Sequence, residues 1–394
     1  MTQRDAIFAF VVAFAAAALL TPLAGRLATR FGAIDQPRDR GLATRETPLL
    51  GGLAMFAGLL IAGLLFLNLD GPVGGRMAGV LWGGALITLV GALDDRFELP
   101  PLVKFTGQVL AAVIPVAAGV KVENLTLPFV GAVDLGSVGA PLTVVGLVFV
   151  MNVVNFSDGI DGLAAGVCAI AALTFAVIAF DLQRGTAGTL AAITAGIAAG
   201  FLVHNFPPAK IFMGDCGSNL LGLLLGCVAV EGAVKTQAVL ALVFPLIVLA
   251  VPFLDTTFVV LKRMKYGRPV YVADQNHFHH RLSRIGFSQR RTVLYLYTWT
   301  LLVGAFALAL RFVPYSDEGG GLNLGWALVL AAIALIVLAA SIYLVYTLEI
   351  LKVRRIAERQ LRGRDPAATS EAIEADLAHR LETGQFDAIT PEDL

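Results

Sequence analysis

Apolar runs long enough to cross a membrane recur along the chain, broken by short polar or glycine-rich stretches. A helix needs about 20 apolar residues, and at least about 17, to cross a hydrocarbon core roughly 30 Å thick. Eleven segments meet that template, near 6–25, 49–67, 77–93, 102–120, 138–154, 162–182, 187–206, 218–234, 238–261, 293–313 and 323–350. The first is too long an apolar run, with too many others after it, for a signal peptide. Residues 121–137, between the fourth and fifth spans, alternate polar and apolar positions around a Pro-Phe-Val-Gly turn, which predicts a small external β-hairpin. The pattern therefore predicts an all-α fold, a polytopic integral membrane helical bundle of about 11 transmembrane helices. Residues 1–350 form the membrane domain and 351–394 a charged tail.

Composition supports this reading. The chain is 57% hydrophobic and 15% charged with a mean hydropathy of +0.78, more apolar surface than a soluble core of 394 residues hides. Cys168, Cys216 and Cys227 lie in or beside apolar stretches without metal-ligand spacing, so neither a disulfide framework nor a zinc site is indicated. Charge balances at 29 basic and 29 acidic residues, which points to no nucleic-acid partner, yet its placement is lopsided. Loop 26–48, loop 262–292, the tail, Arg96, Lys104 and Lys210 hold 23 basic residues on one side, against 6 on the other. Lysine and arginine accumulate in cytoplasmic loops, so the amino terminus is expected outside and the tail inside. The tail starts basic and turns acidic from Asp365 onward.

With that topology every unusual polar cluster falls on the cytoplasmic side. Asp94 and Asp95 end the third span, where the helix macrodipole disfavours negative charge, so they call for a cation or a proton, with Lys104 one helix away. Asn152, Asn155, Asp158 and Asp161 recur every third residue in NVVNFSDGIDGL, a spacing that keeps side chains near one helical face; amides and acids so arranged suit hydroxyls or a heterocycle. Asp215 in FMGDCGSN precedes a helix whose free N–H groups suit an anion, and its carboxylate suits Mg²⁺. His277, His279, His280 and Arg281 cluster in the longest cytoplasmic loop, without the cysteines or helical pairing of a structural zinc site, and suit a diphosphate better. Each cluster has an ordinary alternative: a hydrated helix end, a polar cap, N-capping by Ser218 or Asn219, a solvated loop. Gly51 and Gly52 after Pro48 read as close helix packing.

Carboxylates for a divalent metal, cations for phosphates and amides for a polar head group together describe phosphoryl chemistry at the membrane face. No Walker sequence, Rossmann fingerprint or Gly-x-Ser-x-Gly elbow accompanies them. Two readings of other classes stand beside it. A secondary transporter predicts acids at the bilayer midplane beside broken helices, and a membrane anchor predicts dispensable aspartates. No internal repeat is visible.

The ordered motifs PLLGG, LDDRFELP with Lys104 and Gln108, NVVNFSDGIDGL, MGDCGSNLLG and HFHHRL resemble those of the polyprenyl-phosphate N-acetylhexosamine-1-phosphate transferases, over residues 5–350. That family includes the phospho-MurNAc-pentapeptide translocase. The resemblance implies a Mg²⁺-dependent transfer, with Mn²⁺ as a substitute, from a UDP-sugar to undecaprenyl phosphate in the bacterial inner membrane, and it allows a homodimer among membrane lipid. Carried over by motif, Asp94 and Asp95 position or deprotonate the lipid phosphate and Asp215 holds the metal. Asn152, Asn155, Asp158 and Asp161 line the nucleotide side. Lys104, His277, His279, His280 and Arg281 hold phosphates or the sugar. The HxHH pattern resembles the N-acetylglucosamine branch, and UDP-MurNAc-pentapeptide is the alternative donor. The chain departs from that branch at Gly41-Leu42-Ala43 and at Gln275, where basic residues are common.

Overall fold

The computed structural model describes residues 1–35, 46–127, 131–233, 289–314 and 323–339, with the single positions 369 and 375. Its helices are α1 (Gln3–Phe31), α2 (Gly51–Phe66), α3 (Gly71–Phe97), α4 (Pro101–Ala117), α5 (Gly139–Ser157), α6 (Leu163–Asp181), α7 (Gly185–Asn205), α8 (Gly214–Ala233) and α9 (Gln289–Phe312), followed by the apolar α10 (Leu324–Ala339). Among the described residues six helices are long and apolar enough to cross a membrane by length and composition, namely α1, α3, α5 with its leading turn, α6, α7 and α9; α2, α4 and α10 are shorter apolar helices. The expected span at 238–261 and the histidine cluster lie outside the described residues. Contacts divide the chain into two units, Met1–Phe258 with Val293–Val313, and Val259–Thr292 with Pro314–Leu394.

The first unit is built like a protein dissolved in lipid. Along α1 the buried positions are small, Ala6, Ala9, Ala13, Ala17, Thr21, Ala24 and Ala28, whereas Ile7, Phe8, Val11, Leu19 and Leu23 are exposed. Without a hydrophobic force between helices in lipid, close backbone approach through small residues holds them together. The small stripe of α1 meets α7, where a Cβ at Gly196 or Gly200 would overlap the backbone of Phe10 or Phe14.

A second device joins the same pair. Pro22 lies inside α1 and has no N–H, so the carbonyl four residues earlier, Ala18, loses its helical donor. Nε2 of His204 on α7 lies 2.9 Å from that carbonyl; since a carbonyl only accepts, Nε2 carries the hydrogen.

Helix α8 is the axis of the unit. Leu220, Leu221, Leu223, Leu224, Leu225, Cys227 and Val228 are all buried, and α8 packs on α2, α3, α5, α6 and α7. Glu231 near its end pairs with Arg76 of α3 at 2.9 Å. Two short antiparallel pairs complete the unit. β1 (Ile34–Asp35) pairs with β2 (Thr47–Pro48), and β3 (Asn124–Leu127) pairs with β4 (Gly131–Asp134) in the stretch whose alternation predicts strands.

Candidate active site

The amino terminus of α8 meets the carboxyl ends of α3 and α5 and the start of α4. Close backbone approach makes the meeting possible: a Cβ at Gly91 of α3 would strike the backbone of Cys216, and one at Gly52 of α2 that of Gly217. The PLLGG segment is hydrogen-bonded to the irregular run before α8. Phe212 N–H donates to the Pro48 carbonyl at 2.9 Å, Gly51 N–H to that of Phe212 and Gly52 N–H to that of Met213, both at 3.0 Å. Gly51 and Gly52 thus serve packing, and they fix the loop that presents Asp215.

At the centre is the Lys104 ammonium. It lies 3.0 Å from Asp94 Oδ2 and also donates to Asp215 Oδ2, bridging two carboxylates from different helices. Asp94 is buried and its other oxygen accepts the Leu99 N–H at 2.8 Å, closing the end of α3. Asp215 Oδ1 accepts from Asn155, whose amide also donates to Ser218 at 2.9 Å. The carboxylate pair expected to need a cation therefore has one, though it is Asp94 with Asp215, and not Asp94 with Asp95, that shares it.

Asp95 points elsewhere. Its oxygens accept the backbone N–H groups of Asp215 at 2.7 Å and Cys216 at 3.2 Å. An anion unfavourably placed at the carboxyl end of α3 is favourably placed at the amino end of α8, where N–H groups lack helical partners. The anion expected at that terminus is thus supplied from within the chain. Gly214, at φ +68°, makes room for it, because any Cβ there would overlap the Asp95 carboxylate.

The line of four residues from Asn152 to Asp161 does not continue as one helical face. Helix α5 ends at Ser157 with Asp158 as its cap, so the four reach different partners. Asn152 exchanges hydrogen bonds with Gln108, which also donates to Asn219 at 2.8 Å. Asp161 accepts the Ala209 N–H at 2.8 Å, away from Lys104. For Asp158, burial first, then the charges of Asp215, Asp95 and Asp161, hold its carboxyl well above the ordinary range. Asn205 and Tyr297 carry contacts of which the sequence bears no sign, Gln108 stands out there only as part of a motif, and Ser218 and Asn219, N-cap candidates by sequence, instead donate to the carbonyls of Gly214 and Asp215 within α8. For Gln108 the available signal was its place one turn after Lys104, on the same face of α4. His277, His279, His280 and Arg281 lie outside the described residues.

Among the described residues no three His, Cys, Asp or Glu side chains converge to hold a metal by themselves. The donor chemistry nevertheless fits Mg²⁺, which takes one or two carboxylates and completes its shell with water and substrate phosphates. Asp215 and Asp94 offer oxygens already gathered about one cation.

Comparison with known proteins identifies the arrangement. The family model for glycosyl transferase family 4 matches residues 77–233, from α3 through α8. The chain is 36% identical over 306 residues to a probable undecaprenyl-phosphate N-acetylglucosaminyl 1-phosphate transferase of Bacillus subtilis, covering 77% of this chain and 85% of that protein. It is 38% identical over 339 residues to a decaprenyl-phosphate N-acetylglucosaminephosphotransferase of Mycolicibacterium smegmatis, covering 79% and 83%. A phospho-N-acetylmuramoyl-pentapeptide-transferase of Desulforudis audaxviator is 33% identical over 330 residues, covering 76% and 95%. With its ordered motifs meeting at one end of α8, the chain belongs to glycosyl transferase family 4, among the polyprenyl-phosphate N-acetylhexosamine-1-phosphate transferases.

Proposed function

We propose that this protein transfers N-acetylglucosamine 1-phosphate from UDP-N-acetylglucosamine to undecaprenyl phosphate, releasing UMP, at the cytoplasmic face of a bacterial inner membrane. The observation that carries this reading is the Lys104 bridge between Asp94 and Asp215 at the amino end of α8, a charged centre at helix ends beside an apolar exterior. A polar donor arriving from water and an acceptor with its tail in lipid both reach such a place. A transporter would keep its ionisable groups near the bilayer midplane. The higher identity to the N-acetylglucosamine enzymes supports that sugar.

In this reading an oxygen of the lipid phosphate attacks the phosphorus bonded to the sugar. The bond from that phosphorus to the bridging oxygen breaks, and UMP leaves with the oxygen. Asp94 takes or holds the proton of the acceptor phosphate, and Lys104 beside it draws the anion in. Asn155, Asp158 and Asp161 present the nucleotide side, and His277, His279, His280 and Arg281 the diphosphate or sugar side. Asp95 acts through the position of Asp215. Asp215, with Asp94 at hand across Lys104, would hold Mg²⁺, which would offset charge on the diphosphate.

The test is a thin-layer assay of purified protein with undecaprenyl phosphate, Mg²⁺ and radiolabelled UDP-N-acetylglucosamine, with EDTA and Asp215→Asn as controls. Labelled lipid that requires metal and Asp215 is the expected result. Product only from UDP-MurNAc-pentapeptide would move the reading to that donor, and uptake into proteoliposomes without a lipid product would replace it with transport.

A further inference from the structure

The segment between α5 and α6, residues 158–162, carries two of the site aspartates without regular structure of its own, so something outside it must hold it. Three contacts do. Gly162 N–H donates to Asn205 Oδ1 at 2.8 Å, Ala209 N–H donates to Asp161 Oδ2 at 2.8 Å, and the Tyr297 hydroxyl of α9 donates to the Gly162 carbonyl. The first two come from the end of α7 and the turn after it. The third comes from a helix far away in sequence that belongs to none of the motifs.

The seat of Tyr297 is specific. Its ring occupies the space a side chain would take at Gly166, so that any Cβ there would overlap it. Ile160, in the middle of the loop, is buried with Leu163, Val167, Val293 and Leu296, and Tyr297 packs against this cluster. Gly162 itself is at φ +76°. Its N–H is held by Asn205 of α7, and its carbonyl by the Gly166 N–H of α6 at 3.0 Å and by Tyr297 of α9 as a second donor, so the peptide planes on both sides of it are fixed.

We propose that Tyr297 is a positioning residue: by holding the Gly162 carbonyl it fixes the loop that presents Asp158 and Asp161 to the nucleotide sugar. The inference rests on the transferase reading and adds to it a residue of α9. Asp94 and Lys104 stand on α3 and α4, whereas Tyr297 contacts the loop and α6, so the KM for the lipid phosphate serves as the control.

Tyr297→Phe keeps the ring on Gly166 and removes only the donor. Its KM for UDP-N-acetylglucosamine should rise about three- to tenfold, the equivalent of one lost hydrogen bond, while the KM for undecaprenyl phosphate stays at the wild-type value. Gly166→Ala, which displaces the ring from the other helix, should give the same split. An unchanged nucleotide-sugar KM in Tyr297→Phe overturns the inference, and so does an equal rise in both KM values. Absence of product from the wild-type protein overturns instead the transferase reading, so the two failures are told apart.

Discussion

With its ammonium between Asp94 and Asp215, Lys104 offsets two carboxylates that would otherwise repel, whereas Asp95 spends both oxygens on the backbone of α8. Adjacent aspartates of one motif therefore differ in what their loss should do. Asp94→Asn and Asp215→Asn each take a charge from the Lys104 bridge, so turnover should fall about 10²-fold or more. Asp95→Asn offers the two N–H groups one acceptor in place of two and should cost roughly 1–2 kcal/mol of stability, as loss of a helix cap does. Thermal unfolding in detergent, run beside the transfer assay, measures that cost. An unmoved midpoint in Asp95→Asn would remove Asp95 from its capping role. In the sequence the two aspartates are equivalent neighbours. They part because successive helical residues point about 100° apart, one toward α4 and the other toward α8.

At the scale of elements the helices are joined by close backbone approach and a few polar contacts. Gly91 and Gly75 lie on the same helix, but a Cβ at Gly91 meets the backbone of Cys216 and one at Gly75 meets nothing within 4 Å. Gly91→Val should therefore push α3 from α8, costing about 1–3 kcal/mol and most of the activity, since Asp94 and Asp215 no longer share Lys104. Gly75→Ala should be neutral or stabilising by about 0.5–1 kcal/mol. His204 and Pro22 form a coupled pair. His204→Leu leaves the Ala18 carbonyl without a donor and should cost about 1–3 kcal/mol. In a Pro22→Ala background the restored N–H supplies that bond, and the cost should largely vanish. A double-mutant cycle on thermal stability measures the coupling, and additive effects would show that His204 does not serve that carbonyl. Hydropathy located these helices with ends off by up to six residues, as the expected spans at 77–93 and 187–206 became α3 (Gly71–Phe97) and α7 (Gly185–Asn205). It gave no sign of which glycines face a backbone, since that depends on the helix lying opposite.

At the scale of the whole molecule, the carboxylates that would hold Mg²⁺ come from different helices and are tied to one another through Lys104, so contacts of the chain itself hold them together. EDTA should accordingly abolish turnover, and Mg²⁺ or Mn²⁺ should restore it, with the thermal midpoint unchanged by chelation; a large loss of stability on chelation would make the metal structural. Among the described residues, the positions of the apolar helices and the order of the polar motifs between them are legible in the sequence, because hydropathy is a local property and lipid responds to it segment by segment. Asp94, Lys104, Asn155 and Asp215 were legible as candidates for the same reason, being polar where their surroundings are not. The tertiary structure alone decided how they are paired. Lys104 and Asp215 stand 111 positions apart, as do Gln108 and Asn219, and Gly162 and Tyr297 stand 135 apart. Nothing local encodes those contacts: they follow from α8 crossing α3 at Gly91 and from α9 lying on Gly166, where the absence of a side chain lets one helix reach the backbone of another.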